Sequence, residues 1–210
     1  MGKRALILVD IQNDFLPGGA LAVPRGDEVI PVANRLARRP GFDAVVATRD
    51  RHPNDHGSFA SMHPGHAPGE VIDLHGLPQV LWPDHCVAGS RGAELAASLE
   101  TGPVTREFWK GEDRTVDSYS GFFDNGHRRD TGLGPWLRER GVDEVWVLGL
   151  ATDYCVKFTA LDARQLGFAT VLVEDGCRAV DLAAGDGARA IDELRAAGVR
   201  VVRSDDPTLV

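Results

Sequence analysis

The chain reads as an α/β protein, a three-layer α/β/α arrangement built on a doubly wound, mainly parallel sheet of six strands. Three observations lead there. Short aliphatic or β-branched runs recur along the 210 residues, and most are followed by a loop and then a segment of helical periodicity, the rhythm of βαβ units. The runs are almost continuously apolar, as strands covered on both faces are. Hydrophobic residues make up 43% of the chain against 26% charged, which supports one large core and is too apolar for a disordered chain. The length only modestly exceeds the ~150-residue guide for one domain, so residues 1–210 are expected to form a single domain.

The elements follow in order. A first strand is expected at Leu6–Val9, cut off by Asp10. Val29, Val32, Ala33, Leu36 and Ala37 then share one helical face. Further strands are expected at Ala44–Thr48, Val104–Phe108, Glu144–Leu148, Thr170–Val173 and Val199–Val202. Val156, Thr159, Ala160, Ala163 and Leu166 form a second helical face, and Asp186–Ala197 a further helix closed by Gly198. The string Gly185-Asp186-Gly187-Ala188-Arg189-Ala190 matches a G-x-G-x-x-A pattern but follows no strand in the right relation, so it reads as the start of that helix. Residues 51–92 break the rhythm with many His, Pro, Gly and Asp residues, and four of the seven histidines lie between His52 and His66. A long irregular stretch inside a compact domain is usually functional or disordered, and this one reads as a site-forming insertion.

Charge and cysteine usage exclude several classes. The net charge of −8 argues against a chain built to bind nucleic acid or an anionic membrane, both of which reward clustered Lys and Arg. Cys86, Cys155 and Cys177 are widely spaced with no C-x-x-C among them, so reduced thiols are expected, not a disulfide scaffold. The apolar run Ala5–Val9 is too short for a signal-peptide core or for a membrane span of ~20 residues. A soluble cytoplasmic protein is expected, with homo-oligomerisation left open.

In open α/β sheets the ligand crevice lies outside the carboxyl ends of the strands. Here those ends carry Asp10, then Asp50 and His52, then Lys110, and then the segment from Gly149 to Cys155. A carboxylate, an ammonium and a thiol converging on one edge are the parts of thiol-based acyl transfer, the carboxylate taking the thiol proton and the cation favouring the thiolate. Cys155 is expected in the first turn of a helix capped by Thr152 or Asp153, where helix amides lower a thiol pKa and hold an oxyanion. The competing readings are a buried structural cysteine, a turn-forming Asp10 and a solvated Lys110. Asp50-x-His52 is a metal-ligand pairing whose third member could be His56, His63, His66, His75 or His85. As a spacing motif it is weak. Cys86 beside His85 offers a poor zinc-finger alternative. Phe15 and Trp82 sit in loops beside these elements.

Taken together, Leu8-Val9-Asp10-Ile11-Gln12-Asn13-Asp14-Phe15, Thr48-Arg49-Asp50-Arg51-His52-Pro53, Trp82-Pro83-Asp84-His85-Cys86-Val87, Lys110-Gly111 and Gly149-Leu150-Ala151-Thr152-Asp153-Tyr154-Cys155-Val156 resemble the nicotinamidases of the isochorismatase-like cysteine hydrolases. Asp117-Ser118-Tyr119-Ser120-Gly121-Phe122 and Asp175-Gly176-Cys177-Arg178 support the likeness, which spans almost the whole chain. The resemblance implies the isochorismatase-like hydrolase fold and a catalytic triad of Asp10, Lys110 and Cys155. It implies a divalent metal, zinc first with iron or manganese as alternatives, on Asp50, His52 and His85, with His56 a ligand in some relatives and not in others. It also implies a cis peptide at Leu150-Ala151, an oxyanion hole from the amides of Ala151 and Cys155, and Phe15 and Trp82 packing on the substrate ring. Some relatives carry His before the nucleophile where Tyr154 stands, so position 154 is given no proton-transfer role. The implied reaction is hydrolysis of nicotinamide to nicotinate and ammonia through a thioester, with pyrazinamide as a second substrate. The alternative is a related amidase acting on an N-carbamoyl or ureido compound.

Overall fold

A computed structural model describes residues 2–206. Its elements are β1 (Lys3–Val9), α1 (Val29–Ala37), β2 (Ala44–Asp50), β3 (Val71–Leu74), β4 (Leu77–Val80), β5 (Arg106–Lys110), α2 (Leu133–Glu139), β6 (Val142–Leu150), α3 (Lys157–Gln165), β7 (Ala169–Arg178), α4 (Asp186–Ala196) and β8 (Arg200–Val202). Six of the strands form one parallel sheet in the order β5-β2-β1-β6-β7-β8, flanked by helices. Among the described residues, no helix is long and apolar enough to cross a membrane.

The apolar runs form the centre of this sheet because they have no polar face to give to water. Ala5, Leu6, Ile7, Leu8 and Val9 are all fully buried, as are Val145 to Leu148 beside them. α1 packs on β6 and β7 through the predicted face, and α3 packs on the same strands and on α4. The chain passes from β1 to β2 on one side of the sheet and from β6 to β7 and β8 on the other, so the winding reverses between β1 and β6. That reversal opens a crevice at the carboxyl ends of the strands. Pairing of Val9 with both Thr48 and Gly149, and of Asp50 with Lys110, brings the strand ends level on this edge. At Gly149 (φ +130°) a Cβ would stand 2.1 Å from the Val9 carbonyl oxygen. Only glycine lets the two central strands approach so closely there.

The structure departs from expectation at identifiable places. The third strand lies at Arg106–Lys110 and not at Val104–Phe108, because Val104 turns back to bond Thr101. This is an edge strand, exposed at Arg106, Glu107 and Trp109, so burial on both faces does not hold for it. Lys110 is its last residue. The last helix ends at Ala196, with Ala197 as its cap and Gly198 at φ +81°. Three of these elements were not anticipated, α2 and the two strands of the β3–β4 hairpin. In α2, Gly134 and Pro135 hide the helical period. The β3–β4 hairpin inside the insertion is short, and its turn residues His75 and Gly76 both take positive φ, the geometry of a tight two-residue hairpin turn.

Candidate active site

Asp10 caps the carboxyl end of β1 in a left-handed conformation (φ 49°) that few non-glycine residues adopt. Its Oδ1 accepts a 2.6 Å hydrogen bond from Thr48 Oγ1, and its Oδ2 lies 2.9 Å from Lys110 Nζ. Lys110 is buried. It donates to Asp50 Oδ1 at 2.5 Å and to the Ser118 carbonyl at 2.8 Å, and its Nζ is 3.4 Å from Cys155 Sγ. The Cys155 thiol is also within hydrogen-bonding reach of the Asp10 carboxylate. The structure thus brings Asp10, Lys110 and Cys155 together. The Leu150–Ala151 peptide is cis, and Thr152–Val156 form one π-helical turn running into α3.

The electrostatics of this cluster differ from expectation. Burial pushes the Cys155 thiol well above the usual thiol range; Lys110 opposes this, while Asp10 and Asp50 add to it. The shift is thus opposite in direction to the lowering expected from Lys110 and the helix start. Burial also raises Asp10 above the usual carboxylate range, against the pull of Lys110. For Lys110, burial works against its charge but is outweighed by Asp10 and Asp50, so its pKa lies well above the usual lysine value. Nor is the helix capped by Thr152 or Asp153. The residue before the turn is Ala151, without a side-chain cap. The Asp153 carboxylate reaches across to accept the Val180 and Asp181 amides at 3.0 and 2.8 Å.

Cys155 opens onto a small cavity. Phe15, Trp82, Ala151, Asp50 and His85, all anticipated, line it, together with Leu21, Asp117, Tyr119, Tyr154 and Val180, which were given no role. Trp82 is held by its indole N–H on the Tyr119 hydroxyl (3.2 Å) and by an edge-to-face contact with Tyr154. Asp117 and Tyr119 lie in a string already noted. Leu21 and Val180 come from loops with no spacing signal.

Asp50, His52 and His85 place their ligand atoms within 4.8 Å of one another. Each ring is fixed through Nδ1, His52 on the Gly111 carbonyl (2.9 Å) and His85 on the Pro83 carbonyl (2.7 Å), which leaves Nε2 for an ion. Gly111 (φ +70°) must be glycine here, because a Cβ would stand 2.4 Å from the His52 ring. His56 is anchored differently, its Nδ1 accepting the Ser58 amide at 3.2 Å and lying 2.7 Å from Ser58 Oγ, and its buried Nε2 has no hydrogen-bond partner. This donor set fits a divalent ion. The other three candidates point elsewhere: His63 bonds the Gly57 carbonyl, His66 pairs with Glu70, and His75 sits in the exposed hairpin turn. Cys86 is buried outside this donor group.

Burial lowers His52 and His85 from 6.5 to about 4, so both rings are neutral at neutral pH, as metal binding requires. In the metal-free protein the unfolded chain takes up these protons near pH 6.5 and the folded chain only near pH 4. The stabilisation is complete above the unfolded value and is lost as pH falls through this window. The melting temperature of chelator-stripped protein should drop accordingly, by the equivalent of at most ~3 kcal/mol per ring. The drop should be shallower in His85→Gln, and an identical drop in that variant would reject the assignment.

A doubly wound sheet with a buried carboxylate, ammonium and thiol at its switch point has the build of a cysteine-dependent hydrolase. The isochorismatase domain model matches residues 4–206, and the chain belongs to that family. It is 54% identical over 200 residues to a nicotinamidase of Escherichia coli (strain K12), covering 94% of this chain and 93% of that one. The structure of a nicotinamidase/pyrazinamidase from Acinetobacter baumanii superposes with a TM-score of 0.92 at 44% identity, covering 97% of each chain. A pyrazinamidase of Pyrococcus horikoshii in complex with zinc superposes at 0.78 with 37% identity, covering 96% of this chain and 99% of that one.

Proposed function

We propose that the chain hydrolyses nicotinamide to nicotinate and ammonia, and pyrazinamide to its acid, through a thioester on Cys155. The observation that carries this reading is the contact of Asp10, Lys110 and Cys155 beside a small aromatic-walled cavity with Asp50 and His85 in its wall. Phe15 and Trp82 hold the ring so that the carboxamide lies over the sulfur. Asp10 takes the thiol proton as the sulfur attacks the carbonyl carbon. Burial pushes the thiol above its usual range, so Asp10 is needed as the acceptor of its proton. The negative charge that develops on the carbonyl oxygen is received by the amides of Ala151 and Cys155, a kind of contact worth roughly 3 kcal/mol per donor. Asp10 returns the proton to the amide nitrogen, the C–N bond breaks and ammonia leaves. Water then gives a proton to Asp10 while its oxygen attacks the thioester; the C–S bond breaks and the sulfur regains a proton. Lys110 stays cationic throughout and holds Asp10 and Asp50 in place. Tyr154, pushed up to about 12 by burial, takes no part in proton transfer.

Asp50, His52 and His85 would hold the metal, which we assign as zinc, with iron or manganese also suited to the donor set. When bound, the ion supplies a Lewis-acid position that a ring nitrogen can fill. We place the enzyme in the cytoplasm, acting on a small-molecule amide without a nucleic-acid or membrane partner.

Ammonia release from a panel of amides tests this. Nicotinamide and pyrazinamide should both turn over. Benzamide, of nearly the same shape but without a ring nitrogen, should be slower by about tenfold or more, the equivalent of ~1.4 kcal/mol. Equal turnover of benzamide rejects the anchoring of the ring nitrogen. Activity confined to an N-carbamoyl or ureido compound rejects the substrate and leaves the cysteine chemistry in place.

A further inference from the structure

Asp117 is a buried carboxylate with no part in the chemistry described above. It lines the cavity, and its ligand oxygen lies within 4.8 Å of ligand nitrogens on His52 and His56. It is held rigidly: Oδ1 accepts the Ser118 amide at 2.7 Å, and Oδ2 accepts Gln79 Nε2 at 3.0 Å from the β4 strand. Each carboxylate oxygen keeps a further lone pair beyond these single bonds. Beside it, the buried Nε2 of His56 is without a hydrogen-bond partner, a condition that native proteins rarely tolerate without a ligand. Asp50, the carboxylate of the metal group, is also bonded to Lys110 at 2.5 Å, so part of its charge is already matched.

We propose that Asp117 is a positioning residue of the metal centre, its fixed carboxylate facing His52 and His56 and balancing the charge of the ion. The proposal rests on the metal reading given above. A divalent ion and Lys110 bring three positive charges into a buried space, and Asp10 and Asp50 supply two negative ones. Asp117 supplies the third and leaves the centre neutral, which matters because an unbalanced buried charge is costly. Its anchoring by Gln79 ties the centre to the β3–β4 hairpin.

The test is zinc affinity, read by titrating chelator-stripped protein in competition with a chromophoric chelator and checked by elemental analysis. Asp117→Asn keeps the shape and one acceptor but loses the charge, and should bind zinc roughly 10- to 100-fold more weakly, the usual cost of losing an outer partner of a metal ligand. Asp117→Glu keeps the charge and should recover most of that loss. Asp117→Ser serves as a second neutral variant, and either one that keeps the circular dichroism of the metal-free wild type decides the matter. Wild-type affinity in a folded neutral variant overturns the proposal. So does equal weakness in Asn and Glu, which makes the residue a matter of shape. If His85→Ala binds zinc as the wild type does, or the wild type takes up none, the underlying metal reading fails and the proposal with it. Loss in His85→Ala without loss in Asp117→Asn removes the proposal alone.

Discussion

Cys155→Ala should bring amide hydrolysis down by roughly 10⁴-fold or more while leaving the fold intact, because removing a nucleophile removes the covalent route altogether. The side chain is small and sits at the edge of a cavity, so its truncation opens little new void. Cys86 and Cys177 are buried away from that cavity; burial raises Cys86 well above the usual thiol range and Cys177 to about 12. Neither can take over. Single-turnover measurements should trap an acyl group on Cys155 of the wild type and none on the variant. Retention of more than a few per cent of turnover in Cys155→Ala would falsify the nucleophile assignment and point to a metal-dependent hydrolase with a structural cysteine.

For Asp10→Asn the expected loss is about 10²- to 10⁴-fold in kcat, the range general acid–base groups supply. Asparagine preserves the bond from Thr48 and nearly the same volume, so the fold should survive. What goes is the acceptor for the thiol proton, in a setting where burial pushes the thiol above its usual range. KM should change much less than kcat, since Asp10 does not line the cavity. A variant that lost substrate affinity but kept kcat would make Asp10 a structural residue. Lys110→Ala is a less clean experiment, because it leaves Asp10 and Asp50 facing each other without the cation between them.

Much of this was readable before any coordinates, for a physical reason. A parallel sheet turns sequence into position, since each apolar run ends on the same edge, and the residue after it lands beside its neighbours. Asp10, Lys110 and Cys155 could be chosen by that rule alone. The sign of the Cys155 shift could not, because it depends on how completely packing excludes water and on two carboxylates nearby. Asp153 looked like a helix cap and instead bonds a loop 27 and 28 residues further on, a partner that no local rule could name. Leu21 and Val180 entered the cavity wall from loops, whose paths are set by tertiary packing. His56 was one of five candidate third ligands that spacing could not tell apart, and its orphaned nitrogen became visible only in three dimensions.

The bonds from Asp153 to the Val180 and Asp181 amides have a bearing on how such an enzyme diversifies. Asp10, Lys110 and Cys155 are borne on the sheet edge and the turn that follows β6, while part of the cavity wall hangs from a loop fastened at one carboxylate near Cys155. Insertions or exchanges in the 179–185 segment can therefore re-tailor the mouth without disturbing the chemistry, provided two amides still meet that clasp. Lineages built on this plan would be expected to vary in the length and composition of that segment while keeping the acid beneath it. Loop grafts that retain the Asp153 attachment offer a direct route to new amide selectivities on an unaltered reaction centre.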